Sequence, residues 1–135
     1  DIVCATTHSP TPVVRWEYLR AGTHVNSVGY NTAGREVDSA TIAGAVVVVE
    51  SREAVLGPPP SGCNDLRIPI GEGIIGPDHI RAELGELVAG TRPGRTDPAQ
   101  VTVYKSVGVA AQDVAAATLV LAAARAASAG VDVEL

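Results

Sequence analysis

The sequence predicts an α/β fold built on a doubly wound parallel sheet, and three observations carry the prediction. Three short β-branched runs, residues 2–6, 24–28 and 46–50, read as continuous apolar segments, as expected of strands covered on both faces. The segments between them carry helix start and stop signals, giving a β-α-β-α-β rhythm. Turn-forming and polar residues gather where the runs end, at Thr6-Thr7-His8-Ser9 and at Gly29-Tyr30-Asn31, and ligands of open parallel sheets bind beyond the carboxyl ends of the strands. Thr, Ser and Gly are equally at home there as ordinary turn residues.

Taken in order, the stretch DIVCAT at the start reads as a buried strand with no lead-in, the mark of the interior of a longer protein. SPTPVVRWEYLRAG, residues 9–22, has a proline-rich start and a glycine stop, which predict a short helix carrying Trp16 and Leu19 inward. GREVDSATIAGA, residues 34–45, predicts a second short helix, and REAVL, residues 52–56, a helical turn. GPPPSGCND is a surface loop by composition, since three prolines forbid helix or central strand. LRIPI reads as a strand weakened by Pro69 and leads toward a helix over Ile80 to Ala89, with Asp78 as its cap. TRPGRTDP is a second loop and VTVYKSVG a fourth strand candidate. An Ala-rich helix from Ala110 and a last apolar run, Val131 to Leu135, complete the chain.

With 135 residues the chain is one domain by length. A net charge of -5 with scattered basic residues lacks the electrostatic footprint of a nucleic-acid or anionic-membrane partner. The Ala/Val/Leu stretch from Val109 to Ala129 is broken by Gln112, Asp113 and Arg125 and reads as a buried soluble helix. Cys4 and Cys63 form neither a disulfide framework nor a metal pair, so a reducing cytoplasm is expected.

Several motifs invite over-reading. GEGIIG, Gly71 to Gly76, matches the glycine pattern of dinucleotide turns, but Pro69 before it and Pro77 after it deny the strand-turn-helix context that pattern needs. His79, Glu83 and Glu86 fall at helical spacing, yet without a third ligand in reach they read as a solvated helix face, and no metal is expected. Asp113 serves the dipole of the last helix. His8 and His24 have no Ser or Cys partner and read as structural.

Four stretches, DIVCATTHSPTPV, GTHVNSVGYNTAGREVD, AELGELVAG and VTVYKSVGVAAQDVAAA, together resemble the ornithine cyclodeaminase/mu-crystallin family in order and spacing. The resemblance implies the second half of a Rossmann-like doubly wound parallel sheet over residues 1–76. Residues 77–135 would be a helical and strand segment completing the domain and returning to an N-terminal substrate and dimerisation domain upstream of Asp1. The true glycine-rich fingerprint would lie upstream as well, with the region of GEGIIG leaving the nucleotide sheet. NAD or NADP is the implied cofactor, an amino acid or cyclic imine the implied substrate, and a homodimer the implied assembly.

By the same resemblance, Thr7, Val25, Asn26, Ser27 and Val28 lie along the nicotinamide half of the cofactor. Ser106 and Val107 close over nicotinamide and substrate, and Arg35 falls where the cyclodeaminase carries a cofactor-contacting lysine. Asn31 stands where cyclodeaminases and related alanine dehydrogenases carry an aspartate assigned proton-transfer work. An amide does not titrate near neutral pH, so as a general base it forfeits roughly 10²- to 10⁴-fold. Reduction of a cyclic imine such as pyrroline-2-carboxylate therefore fits better than deamination, because an imine protonated in solution needs no strong enzymic base. Ornithine cyclodeamination, and ligand storage of the mu-crystallin kind, are the alternatives, and the stretch by itself is expected to be inactive.

Overall fold

A computed structural model describes residues 1–133. Five strands, β1 (Ile2–Ala5), β2 (His24–Ser27), β3 (Val46–Val49), β4 (Ile80–Glu83) and β5 (Thr102–Lys105), form one parallel sheet in the order β1-β2-β5-β3-β4. The last strand in sequence thus sits at the centre, between β2 and β3. Five helices accompany it: α1 (Ser39–Gly44), α2 (Arg52–Leu56), α3 (Asn64–Gly71), α4 (Leu84–Val88) and α5 (Ala110–Ala126).

Register explains the core. Val25 faces Val103, which faces Val47, so one row of valines crosses three strands on the side covered by Ile42 of α1 and Leu66 of α3. All five are buried, and each contributes about 1.5–3 kcal/mol through the area it removes from water. One step toward the carboxyl ends, the next row on the same face is Ala5, Ser27, Lys105 and Val49. A serine and a lysine there place polar chemistry inside the core.

The structure departs from the expected elements in several places. Coverage of the second face of the sheet is partial: His24, Asn26, Val46 and Tyr104 line a groove of about 590 Å³ bordered by Leu84 and Leu87 of α4, and Ile2 of β1 is 73% exposed. Residues 9–22 form only a 3-10 turn, Trp16–Tyr18, because Pro10 and Pro12 remove donors and hold their neighbours extended. The segment is tied down instead by Val13 and Val14, whose N–H groups both donate to the Glu36 carbonyl, and Trp16 lies exposed over Gly44. Residues 66–70 belong to α3, where burial of Asp65 and Leu66 outweighs the cost of Pro69 within the helix. Residues 80–83 are strand, with Ile80 in the core beside Val47, Ala82 buried beside Val48 after a shift of register, and Arg81 exposed, so the chain after GEGIIG returns to the sheet through β4 and β5.

The helix expected over Ile80 to Ala89 is accordingly confined to α4. It is started by a capping box in which Glu83 and Glu86 exchange side-chain-to-backbone bonds, and Asp78 lies inside a 3-10 turn, Pro77–His79. His79 and Glu83 therefore share no helix. The imidazole of His79 bonds the Ile42 carbonyl at 2.7 Å, and Glu83 accepts from the Arg52 N–H at 2.7 Å. The Ala-rich helix is α5, with Asp113 in its first turn, but none of its residues is buried. No helix of the described residues is long and apolar enough to cross a membrane. Residues 131–133 carry no regular structure, and the last two positions of that run lie outside the described residues.

Candidate functional site

Four strands deliver their carboxyl ends to one edge, and each is followed by a short connection: Thr6–Ser9 after β1, Val28–Asn31 after β2, Ser106–Val109 after β5, and Glu50-Ser51 after β3. A cavity of about 570 Å³ opens there, lined among others by Tyr30, Thr32, Ser61, Val107 and Gly108. The site thus lies beyond the carboxyl ends of parallel strands, where open sheets bind ligands.

Beneath the edge lies a buried polar network. The Lys105 ammonium is fully buried and donates to the Gly29 carbonyl at 2.6 Å and to Ser27 Oγ at 3.1 Å, with Asp65 Oδ2 at 3.2 Å. The Ser27 hydroxyl donates in turn to Glu36 Oε2 at 2.6 Å, and the Gly29 N–H donates to that same oxygen at 3.0 Å. Glu36 Oε1 accepts from the Thr7 N–H at 2.6 Å. Asp65 Oδ1 accepts from the N–H groups of Glu36 and Val37, at 2.9 and 2.7 Å. Every charge is thus paired or multiply hydrogen-bonded, as burial requires.

Burial pushes the Glu36 carboxyl upward, but the bonds from Ser27, Thr7 and Gly29 outweigh it and hold the group below the usual carboxylate range. Cys63, beside this network, is pushed up to about 12, first by burial and then by the charge of Asp65, so it stays a thiol. Gly29 is required by the packing, since a side-chain carbon there would collide with Glu36 and the Thr7 carbonyl.

The loops above the network are cross-tied. Asn31 Nδ2 donates to the His8 carbonyl at 2.8 Å, joining the β2 loop to the β1 loop, while Asn31 Oδ1 accepts from the N–H groups of Ala33 and Gly34 at 2.8 and 2.9 Å. Asn64 at the start of α3 donates to the carbonyls of Asn31, Thr32 and Gly34. Glu50 Oε1 accepts from the Val107 N–H at 2.6 Å, and Ser106 Oγ accepts from Gly108 at 3.1 Å. Glu50 Oε2 is buried without a hydrogen-bond partner among the described residues.

The sequence-derived candidates divide by position. Thr7, Val28, Asn31, Ser106 and Val107 come to the same edge, with Thr7 and Val28 exposed beyond it. Ser27 lies in the network, Val25 in the core, and Asn26 on the open face near the groove. Arg35 turns its guanidinium to Ser39 Oγ at 2.6 Å, with Glu72 at 3.7 Å. Sequence reasoning missed Glu36, Asp65 and Lys105. A signal existed for the last: in VTVYK, Val101, Val103 and Lys105 alternate onto one face, and a lysine on a core face demands a carboxylate.

Among the described residues no three His, Cys, Asp or Glu side chains converge to hold a metal ion. Comparisons with known proteins locate the chain. It is 43% identical over 116 residues to a Delta(1)-pyrroline-2-carboxylate reductase of Bacillus thuringiensis subsp. konkukian, an alignment covering 84% of this chain and 34% of the relative. The solved Thermococcus litoralis Delta(1)-pyrroline-2-carboxylate reductase, in complex with NADH and L-proline, is similar with a TM-score of 0.86 and 40% identity over 98% of this chain and 40% of that one. An archaeal alanine dehydrogenase dimer with bound NAD matches with a TM-score of 0.81 and 31% identity, over 100% of this chain and 41% of that one. The chain spans about a third of the length of the curated relatives it matches. With the ornithine cyclodeaminase/mu-crystallin family model matching residues 1–128, the chain belongs to that family.

Proposed function

We propose that the protein carrying this chain is an NAD(P)-dependent reductase of a cyclic imine of the pyrroline-2-carboxylate class, working on the α-carbon bonded to nitrogen. The observation that carries the reading is the convergence of Thr7, Val28, Asn31, Ser106 and Val107 on one sheet edge, in a chain similar over nearly its whole length to a reductase solved with NADH and proline. The residues present fit the nicotinamide half of the cofactor. Glu36 and Lys105 are buried and internally satisfied, which leaves Thr7, Val28 and Val107 as an uncharged surface for a flat, amide-bearing ring.

The cofactor, when bound, supplies the hydride, and the chain's contribution is orientation. Thr7, Val28 and Ser106 line the nicotinamide side, with Asn26, Ser27 and Arg35 as supporting positions and Val107 toward the substrate, while Val25, wholly buried in the core, offers the cofactor no surface. Asn31 keeps one amide hydrogen after its bond to His8 and orients the substrate at its nitrogen. An amide at this position supports reduction over deamination, since it supplies no base. The remaining proton comes from solvent or from a residue outside this chain.

Residues 1–76 then serve as the second half of the dinucleotide-binding domain and residues 77–135 complete it. A homodimer working in the cytoplasm is the assembly we favour, supported by the dimeric alanine dehydrogenase relative and by two cysteines that are both free. The test is the loss of 340 nm absorbance when the whole protein meets pyrroline-2-carboxylate with NADH or NADPH. Turnover with either cofactor is expected, and silence with both would overturn the reading.

A further inference from the structure

We propose that Glu36 is a positioning residue of this site: its buried carboxylate spans the loops after β1 and β2 and fixes the spacing of the surface against which the nicotinamide rests. The inference rests on the reductase reading above and names a device within that same site.

The carboxylate bonds the two loops through different oxygens. Oε1 accepts from the Thr7 N–H at 2.6 Å, and Oε2 accepts from the Gly29 N–H at 3.0 Å and the Ser27 hydroxyl at 2.6 Å. Thr7 and Gly29 follow adjacent strands, and beyond β1 and β2 the ladder that holds them together ends with Ala5 and Ser27. Glu36 continues that pairing by side chain where backbone pairing stops.

Its own place is fixed from below. Its N–H donates to Asp65 Oδ1 at 2.9 Å, its carbonyl accepts from Val13 and Val14 at 2.9 and 3.1 Å, and Lys105 balances its charge through Ser27. Glu36 is 2% exposed, so it touches neither substrate nor cofactor and acts through Thr7, Ser27 and Gly29. A carboxylate offers acceptors at both ends. Glutamine offers an acceptor at only one end and sets its NH₂ against an N–H at the other. Aspartate keeps the charge but is one methylene too short to hold both loops. A displacement of about 1 Å of a group that orients reactants costs on the order of 10²-fold in rate, which makes this spacing worth fixing with a buried charge.

The experiment compares Glu36→Gln and Glu36→Asp with the wild type in the whole protein, using pyrroline-2-carboxylate and NADH deuterated at C4. Both variants should keep NADH affinity within several-fold while kcat falls by roughly 10- to 100-fold, with an enlarged primary isotope effect because hydride transfer has become the slow step. Amide exchange should accelerate over residues 6–9 and 28–31. Unchanged kcat and isotope effect in both variants would overturn the inference. So would loss of near-ultraviolet circular dichroism in both, which would make Glu36 a residue of the fold alone. A wild type without turnover overturns the reductase reading instead, and the exchange rates then decide by themselves whether Glu36 holds the two loops, unchanged rates overturning it.

Discussion

Lys105 is the residue on which the interior of this edge balances, because Glu36 and Asp65 both lie buried within its network. Lys105→Met keeps the volume and removes the charge, leaving two buried carboxylates without a cation. The expected loss is about 3–5 kcal/mol in urea unfolding of the whole protein, and Lys105→Met with Asp65→Asn should lose less than the two single changes added together. Additive losses would show that Lys105 and Asp65 do not act as one. Part of the edge was legible beforehand: Thr7 and Asn31 lie in the polar turns that end the first two apolar runs, whereas Ser106 was reached only through the family resemblance. Glu36 and Asp65 were not legible, since 29 residues separate the Asp65 carboxylate from the Glu36 N–H it receives, and a charge partner across a fold leaves no local pattern. The Asn31 amide is a clasp between loops, a use that spacing cannot reveal.

Elements were legible where periodicity and propensity agreed. β2, β3, α1 and β5 follow their apolar runs and caps, and Asp38 accepts the Thr41 N–H at 2.8 Å as an N-cap should. β4 was misread because four residues of alternation, Ile80-Arg81-Ala82-Glu83, are too few to outweigh a helical stretch that follows directly. α3 was misread because a proline was weighed without the tertiary contacts that hold its helix. The 3-10 turn at Trp16 shows the same limit, since its indole is held against α1 at Gly44, where any side-chain carbon would meet the ring. Gly44→Val should therefore push the indole off α1. The expected signs are a red shift of the fluorescence of the sole tryptophan and a stability loss of about 1–3 kcal/mol. An unshifted emission would show that the ring and α1 are not packed as described.

At the scale of the molecule, apolar surface is distributed unevenly. One face of the sheet is packed under α1, α2 and α3, while the other carries an open groove lined by Val46 and Tyr104 and bordered by Leu84 and Leu87 of α4. α5 adds Val114, Leu119, Val120 and Leu121, exposed by 49% to 73%, and β1, an edge strand, exposes Ile2. Contiguous apolar surface and an unpaired strand edge both favour association with another chain. A 17-residue helix without buried contacts also draws no stability from packing, which is the main source for helices of this length. Residues 1–135 produced by themselves should consequently self-associate, with sedimentation velocity showing species larger than the 13.7 kDa chain and with rapid amide exchange along α5. In the whole protein the same α5 amides should be protected. A monodisperse monomer of the short chain, with well-dispersed amide resonances and a protected α5, would show instead that the open face and the helix need no partner surface.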